Sequence, residues 1–404
     1  MDYLLKDIPM HYRRLGRTGY QASLLGVGGG YVMLRDLDAG TRLYRRAAEL
    51  GVNYFDGRYG HSSAMQRPVI EQERSRFIVA SKTVDHTREG VLRRVDEDLA
   101  ELGTGYLDIY YLRAYNADMI AAHFAPGGAV EGLIEARAQG KVRFLGLAGH
   151  SDLSALAAGV ETGLIDVVEF PLNVVRRDAF EALIPACRRH DAGMVVMKPL
   201  NAGLLPPEVA LPWLAGQPIH VMAAGAGTIE QLEADVAALD RDSIALSVGE
   251  AAEAERWRQD LDARTCRICD AACQSVCEAG LQIDWQIYHN VFQNELRRLG
   301  AEGFLDYPFA SWVKRQAEGT FAGTLAQLRS CTRCGKCEAA CPHGLPVMAM
   351  LAQIADEQAA LLEALREAGW AETYRDARSP LTAKTFAEWG AQRGAPQDEA
   401  PPAT

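Results

Sequence analysis

Eight of the nine cysteines in this 404-residue chain stand in two closely spaced groups. The downstream run consists of Cys331, Cys334, Cys337 and Cys341, separated by two, two and three residues and followed by Pro342. Three thiolates on such a tight loop can bind one face of a 4Fe-4S cube, and the fourth cysteine, placed before a proline, typically ligates a second cube. The downstream run therefore predicts four more cysteines elsewhere in the chain.

The upstream run supplies them, with gaps of two, three and three residues. By analogy with two-cluster ferredoxins, each cluster would take three thiolates from one run and one from the other. One cluster would be held by Cys266, Cys269 and Cys273 with Cys341, and the other by Cys331, Cys334 and Cys337 with Cys277.

Structural zinc and disulfide bonds are the alternatives. Zinc sites usually use cysteine pairs separated by a longer spacer, and disulfides need an oxidising compartment. Neither predicts four closely spaced cysteines twice, so we interpret both runs as ligands of two 4Fe-4S clusters. The ninth cysteine, Cys187, is expected to be a buried helix thiol.

Composition sets the class of protein. The length allows two or three domains, and 48% hydrophobic residues is enough for large cores. A net charge of -11 argues against a nucleic-acid partner, because such proteins concentrate Lys and Arg. The sequence shows neither an apolar leader nor 18 consecutive apolar residues, so we expect a cytoplasmic protein without a membrane partner.

Short apolar runs alternate with segments of helical length between residues 24 and 225. The eight runs are 24–27, 52–55, 77–80, 107–112, 142–147, 165–170, 193–197 and 219–222. Eight such repeats predict an α/β fold, a (β/α)8 TIM barrel. A doubly wound open sheet is the alternative, but the glycines at 26–30 lack the dinucleotide-binding spacing.

Polar residues follow the predicted strands, at the end where such barrels carry their chemistry. They are Asp56 and Tyr59, Lys82, Arg113, His150, Glu169 and Lys198. Their gathering at one rim predicts an active site. A tyrosine beside an ammonium has its phenolate stabilised and becomes a usable acid near neutral pH.

At these residues the chain resembles the aldo-keto reductase family, in particular members with a C-terminal ferredoxin-like domain. The resemblance spans residues 11–350 and rests on stretches 15–19, 51–60, 80–82, 102–108, 140–146 and 198–200 and on the downstream run. It implies a barrel in which Tyr59 protonates a carbonyl, Lys82 lowers the pKa of that tyrosine, and Asp56 pairs with Lys82.

The chain also departs from this family. Two residues separate Asp56 from Tyr59 where the family has four, and Arg113 stands in the place of the catalytic histidine. Arginine cannot orient a carbonyl as a neutral imidazole does, but it can bind a carboxylate or phosphate. Residues 148–149 and Glu169 replace the groups that hold the nicotinamide amide.

The predicted cofactor-binding set follows the eighth strand and matches the family's phosphate site at a helix N-terminus. It comprises Gly225, Ala226, Gly227, Thr228 and Gln231, together with Glu169 and Lys198. Residues 224–232 contain no Lys or Arg, which disfavours NADPH and leaves NADH or no dinucleotide as the alternatives.

The sequence thus predicts a barrel domain at 1–248, a small, mainly helical two-cluster iron-sulfur domain at 249–372 and a partly disordered tail at 373–404. The predicted function is an iron-sulfur oxidoreductase acting on a small substrate, anionic if Arg113 binds it. The clusters would relay single electrons from a ferredoxin, flavodoxin or flavoprotein, because nicotinamides deliver electrons in pairs. The alternative is an electron-transfer or scaffold protein with a catalytically degenerate barrel.

Overall fold

The computed structural model describes residues 10–32, 37–57, 62–114, 116–241, 243–267, 269, 272–288 and 322–367. The chain divides into two compact units, residues 1–258 and 259–404, which we call the barrel unit and the cysteine unit. The division falls within a helix, Val248–Asp262, whereas the predicted boundary falls at its start. The predicted tail, 373–404, lies outside the described residues.

Eight parallel strands close the barrel unit. They are β3 (Leu25–Val27), β4 (Tyr54–Asp56), β5 (Ile78–Thr83), β6 (Leu107–Ala114), β7 (Val142–Gly149), β8 (Val167–Pro171), β9 (Gly193–Met197) and β10 (Val221–Ala224). Neighbours in the chain are neighbours in the sheet, and the last strand pairs with the first, Met222 opposite Leu25. Closure confirms the predicted (β/α)8 barrel and excludes the open sheet.

Helices alternate with these strands. They are α1 (Gly29–Val32), α2 (Leu37–Glu49), α3 (Ser62–Ile70), α4 (Arg88–Leu102), α5 (Ala117–Phe124), α6 (Ala129–Ala138), α7 (Leu153–Glu161), α8 (Leu183–Arg189), α9 (Pro207–Ala215) and α10 (Ile229–Ala237). Helix α4 shows how local sequence sets their limits. The Thr87 side chain accepts from the Gly90 amide at its start, and Gly103 adopts the left-handed conformation at its end.

A short hairpin and a polar network cover the amino end of the barrel. Strands β1 (Tyr12–Arg14) and β2 (Gln21–Ser23) are antiparallel, and Leu15 and Ala22 pack into the barrel interior. Beside them Asp108 accepts hydrogen bonds from Tyr20 Oη (2.7 Å), Arg74 Nη2 (2.7 Å) and the Val79 amide (3.0 Å). The Val79 amide thereby has an acceptor where water is excluded.

The cysteine unit is helical in its described part. Beyond α11 (Val248–Asp262) lie α12 (Ala272–Ser275), α13 (Ile283–Tyr288), α14 (Ala322–Arg329), α15 (Lys336–Ala340) and α16 (Val347–Glu367). Leu281, Leu328, Leu345, Leu351 and Ile354 form its apolar core. Among all described helices, none has the length and apolar character needed to cross a membrane.

The hydrogen bonds of Asp108 at the amino end of the barrel give a stability prediction. Replacing Asp108 by alanine leaves the buried amide of Val79 and the guanidinium of Arg74 without this acceptor, so the free energy of unfolding should fall by about 3–5 kcal/mol. Glu71→Ala is the control, since it removes only the exposed pair with Arg67 and should cost less than about 1 kcal/mol. Urea unfolding measures both, and equal losses would show that the Asp108 network does not stabilise the barrel.

Candidate active site

Strand alternation brings the predicted catalytic side chains into one layer. Tyr54, Ala80, Tyr111, Val167 and Val195 belong to the buried core inside the barrel. Two residues further along each strand, on the same face, come Asp56, Lys82, Arg113, Glu169 and Met197. The second set therefore forms the next layer towards the carboxyl ends of the strands, where barrel enzymes carry their chemistry.

Lys82 is the centre of this layer. Its ammonium donates to Asp56 Oδ2 at 3.1 Å, lies 2.9 Å from Asp56 Oδ1, and also donates to Glu169 Oε2. The three side chains are almost fully buried, with exposed fractions of 1% for Lys82, 4% for Asp56 and 2% for Glu169. We call these three residues the carboxylate-lysine triad.

The triad carries two carboxylates for one ammonium. Burial and the neighbouring charge of Glu169 raise the pKa of Asp56 to about 7, although Lys82 and Arg113 act in the opposite direction. A second carboxylate beside one buried ammonium is costly, and protonation of Asp56 lowers that cost. Asp56 therefore changes its protonation state near neutral pH.

Two tyrosines support the triad from below. The hydroxyls of Tyr54 and Tyr111 lie 2.8 Å apart, and Lys82 Nζ lies 5.5 Å from the centre of the Tyr111 ring. Burial raises the pKa of both tyrosines well above the ordinary value, so both stay neutral. A glycine makes room for this ring, since a Cβ at Gly146 would lie 2.3 Å from Tyr111 Cδ1.

A recess opens above the triad. Its lining consists of Lys82, Arg113, Ala114, Ala148, Gly149, His150, Glu169 and Met197. Arg113 is mostly buried, and its backbone carbonyl accepts a hydrogen bond from His123 Nε2 at 2.9 Å. Burial lowers the pKa of His123 to about 4, so this imidazole is neutral and fixes the end of β6. Arg113 thus enters the recess from a rigid backbone.

The predicted phosphate site is occupied by the chain itself. The Gly227 amide donates to Gln231 Oε1 at 2.7 Å, and the Thr228 side chain caps helix α10 by accepting from the Gln231 amide. Glu230 adds a carboxylate to the first turn. A bound phosphate would have to displace the Gln231 side chain and lie near a negative charge. These residues do not fit a dinucleotide phosphate.

All nine cysteines lie among the described residues, and none forms a disulfide. Both runs meet in the cysteine unit, where Cys337 belongs to the apolar core and Cys266, Cys273, Cys277, Cys331 and Cys341 pack against it. Cys187 is the buried helix thiol that the sequence predicted, and burial raises its pKa to about 12.

A second recess lies between the two runs. Its lining includes Cys266, Cys269 and Cys273 from the upstream run and Cys341 from the downstream run, with Ile283, Ile287, Leu345 and Val347 as apolar walls. Arg267 lies at its edge, between Asp262 and His343. We call this the cysteine recess. No group of three His, Cys, Asp or Glu residues in the described ranges is arranged to hold a single metal ion.

The other four cysteines are arranged around a short helix. Cys331 and Cys334 precede α15, Cys337 lies within it, and Cys277 packs against the same core. Hydrogen bonds from the Lys336 backbone and the Thr332 side chain hold the pKa of Cys334 below its ordinary value.

The structure places most of the predicted site residues but not all. Asp56, Lys82, Arg113 and Glu169 meet in one layer, whereas Tyr59 lies outside the described residues. The backbone carbonyl of Lys198, just beyond β9, accepts from Asn173 Nδ2 at 3.2 Å. Sequence reasoning missed the pairing of Glu169 with Lys82, because the two lie 87 positions apart. The only signal in the sequence was Glu169 itself, a carboxylate at a position where the resemblance implies an amide side chain.

A closed parallel barrel with a buried lysine and carboxylates at its carboxyl rim is the architecture of a TIM-barrel enzyme. Residues 36–212 match the model of the aldo/keto reductase family.

Solved structures agree on the fold. The barrel is similar to an aldo-keto reductase of Bacillus halodurans in its apo and holo forms, with TM-scores of 0.53 and 0.52 and identities of 22% and 21%. Each match covers 62% of this chain and 96% of the other. A Pseudomonas aeruginosa protein described as an aldo-keto reductase matches with a TM-score of 0.50 and 19% identity, over 59% of this chain and 98% of its own.

The raised pKa of Asp56 predicts a pH-dependent stability. The folded protein keeps a proton that the unfolded chain releases between the ordinary pKa of 3.8 and about 7, so this carboxyl lowers the free energy of unfolding as pH rises through that window. Asp56→Asn removes the effect. Relative to the Asp56→Asn variant, the free energy of unfolding of the wild type should fall by up to about 1.4 kcal/mol per pH unit in this window.

Denaturant unfolding at a series of pH values between 4 and 8 measures this difference. Asp38→Asn, at an exposed position of helix α2, is the matched control and should retain the fall in stability between pH 4 and 7. A constant difference between wild type and Asp56→Asn would contradict proton uptake by the triad.

Proposed function

We propose that the chain is an iron-sulfur oxidoreductase of the aldo/keto reductase type. It acts on a small substrate in the recess above the triad and receives electrons one at a time. The observation that carries the proposal is the cysteine recess, because its four thiols come from both runs in the combination that the two-cluster spacing predicts.

The donor set of the cysteine recess fits a 4Fe-4S cluster. A cube carries one thiolate on each of four irons, whereas a single zinc ion holds all its ligands in one tight shell. Four thiols around a space with apolar walls suit the cube, and the described residues offer no site for a single ion. Cys266, Cys269, Cys273 and Cys341 would hold one cluster, and Cys277, Cys331, Cys334 and Cys337 the other. When bound, such clusters accept and pass on single electrons.

The surroundings of the cysteines support a redox role. Apolar side chains keep water from the sulfurs, and hydrogen bonds to sulfur raise the reduction potential. The contact of the Lys336 backbone with Cys334 is a bond of this kind. Arg267 adds a positive charge beside the cysteine recess, although Asp262 partly offsets it.

The barrel supplies binding and protons. The proposed substrate is anionic, since the planar guanidinium of Arg113 can bind a carboxylate or phosphate through two parallel hydrogen bonds. Tyr59, which lies outside the described residues, stays a proposed proton donor. The barrel residues do not fit a nicotinamide dinucleotide, because Gln231 occupies the phosphate-binding amide of Gly227 and Glu169 is bound to Lys82.

Iron content tests the clusters. Anaerobically purified protein should contain about eight irons per chain. Cys269→Ala and Cys334→Ala should each reduce this to about four, because each removes one ligand of a different cluster. Cys187→Ala is the matched control and should leave the iron unchanged, since this thiol is buried in the barrel unit. Bound zinc, or an iron content that neither ligand variant lowers, would contradict the proposal.

Double variants test how the two runs share ligands. If Cys269 and Cys341 hold the same cluster, their double alanine variant should still contain about four irons. If Cys334 and Cys341 hold different clusters, their double variant should contain almost none. Metal analysis with paramagnetic resonance of the reduced protein distinguishes this arrangement from one in which each run holds its own cluster, for which the two results would be exchanged.

Electron entry gives a further prediction. In an anaerobic titration, a low-potential one-electron donor should bleach the cluster absorption, whereas NADH and NADPH should not. The reason is that the described phosphate site is filled by Gln231, and single-electron acceptors do not take hydride directly. Rapid bleaching by NADH alone would contradict the prediction that NADH does not reduce the clusters directly. Carbonyl reduction by NADH in cluster-free protein would restore the ordinary aldo-keto reductase mechanism.

A further inference from the structure

One cysteine of the downstream run reaches the surface. Cys334 is exposed, whereas each of the other eight cysteines is half-buried or buried. In the proposed ligand arrangement Cys334 acts together with Cys277, Cys331 and Cys337, and we call these four residues the outer set. Of the two proposed clusters, the one held by the outer set is therefore the one whose ligands open to solvent.

Two segments with mostly exposed side chains carry the outer set. They are residues 275–280 and residues 329–336. An ion pair between Glu278 and Lys336 joins them, and both charges lie near enough to the Cys334 thiol to affect its pKa. The two segments therefore form one surface, which we call the outer surface.

Positive charge collects on the outer surface. Residues 322–336 contain three cations, Arg329, Arg333 and Lys336, and no Asp or Glu, in a chain with a net charge of -11. Glu278 offsets Lys336, but within the described ranges neither arginine has an ion-pair partner. Both arginines are exposed, so they can pair with carboxylates of another protein.

The backbone at Arg333 supports a role for its side chain. Its φ of 55° lies in the left-handed region, which is unfavourable for every residue that has a Cβ. Gly335, two positions later, adopts the same region without that cost. The chain thus keeps an arginine next to Cys334 at a position where glycine would be less strained.

An exposed apolar side chain completes the outer surface. Val276 is 38% exposed and directly precedes Cys277. Electron-transfer complexes bury small areas, and protein interfaces combine an apolar centre with a polar rim. A valine with nearby cations beside an exposed cluster ligand has the composition of such an interface.

We propose that the outer surface is the docking site of an acidic one-electron carrier protein of the ferredoxin type, which reduces the cluster held by the outer set. The inference rests on the proposed function and places its electron donor. In each encounter the reduced carrier loses one electron and the oxidised cluster gains it, and no bond forms or breaks. A ferredoxin suits this surface because its own iron-sulfur cluster exchanges only single electrons, and an acidic one complements Arg329 and Arg333.

The acidity of the whole chain does not prevent this docking. At physiological ionic strength the Debye length is about 8 Å, so distant carboxylates are screened more strongly than charges that meet across a contact. Complementary local charges also increase the rate of association. The complex should therefore weaken as salt is added.

Calorimetric titration of the iron-containing protein with an oxidised acidic ferredoxin measures docking without electron transfer. Combining Arg329→Gln with Arg333→Gln should raise the dissociation constant about tenfold at low salt and have little effect at about 0.5 M NaCl. Val276→Ser should raise it by a smaller factor at both salt concentrations, since salt does not screen an apolar contact. The matched control combines Arg42→Gln with Arg45→Gln, which removes two exposed cations from helix α2 and should leave it unchanged.

Reduction separates this inference from the proposed function. At a ferredoxin concentration below the dissociation constant, the Arg329 and Arg333 double variant should be reduced about tenfold more slowly than the wild type. Dithionite at high salt should reduce both proteins to the same extent.

The outcomes are distinct. A wild type that binds no iron contradicts the proposed function. An iron-containing wild type that does not bind the ferredoxin, or a double variant that binds it as tightly, overturns the docking site alone. Equal weakening in the helix α2 control would also overturn it, and so would tighter binding of an acidic flavodoxin.

Discussion

A buried ammonium is the constraint on which the site depends. Lys82 lies inside the barrel with almost no access to water, and an unpaired charge there would cost several kcal/mol. Asp56 removes that cost, and Glu169 adds a second carboxylate to the same ammonium. The triad is therefore stabilised by its charges but prefers to hold one more proton than three separate residues would.

The buried carboxylates at the two ends of the barrel have different partners. At the amino end, Asp108 accepts hydrogen bonds from Tyr20, Arg74, Arg143 and the Val79 amide, so its network is fixed. At the carboxyl end, the carboxylates outnumber the ammonium and a recess borders them. The same strands thus carry a rigid floor that stabilises the fold and a polar layer that can exchange a proton.

The cysteine unit also places ionisable side chains, its thiols, against an apolar core. Six of its cysteines lie in or against an apolar core, where burial alone would favour neutral thiols, as it does for Cys187. The proposed clusters would remove this conflict, because a bound metal accepts the thiolate charge. If the clusters are bound as proposed, folding of this unit depends on them, whereas the barrel unit has its own core.

Sequence alone determined the features that depend on local spacing. The eight strands follow from hydrophobic runs, and the spacing of the two cysteine runs is the basis of the proposed ligand chemistry. What the tertiary structure decided involves residues that meet only when the sheet closes. Lys82 and Glu169 lie on β5 and β8, and the amide of Gly227 is filled by a side chain whose rotamer no sequence pattern specifies. Alternation along a strand fixes the face of each side chain, but only closure fixes which side chains meet across the barrel.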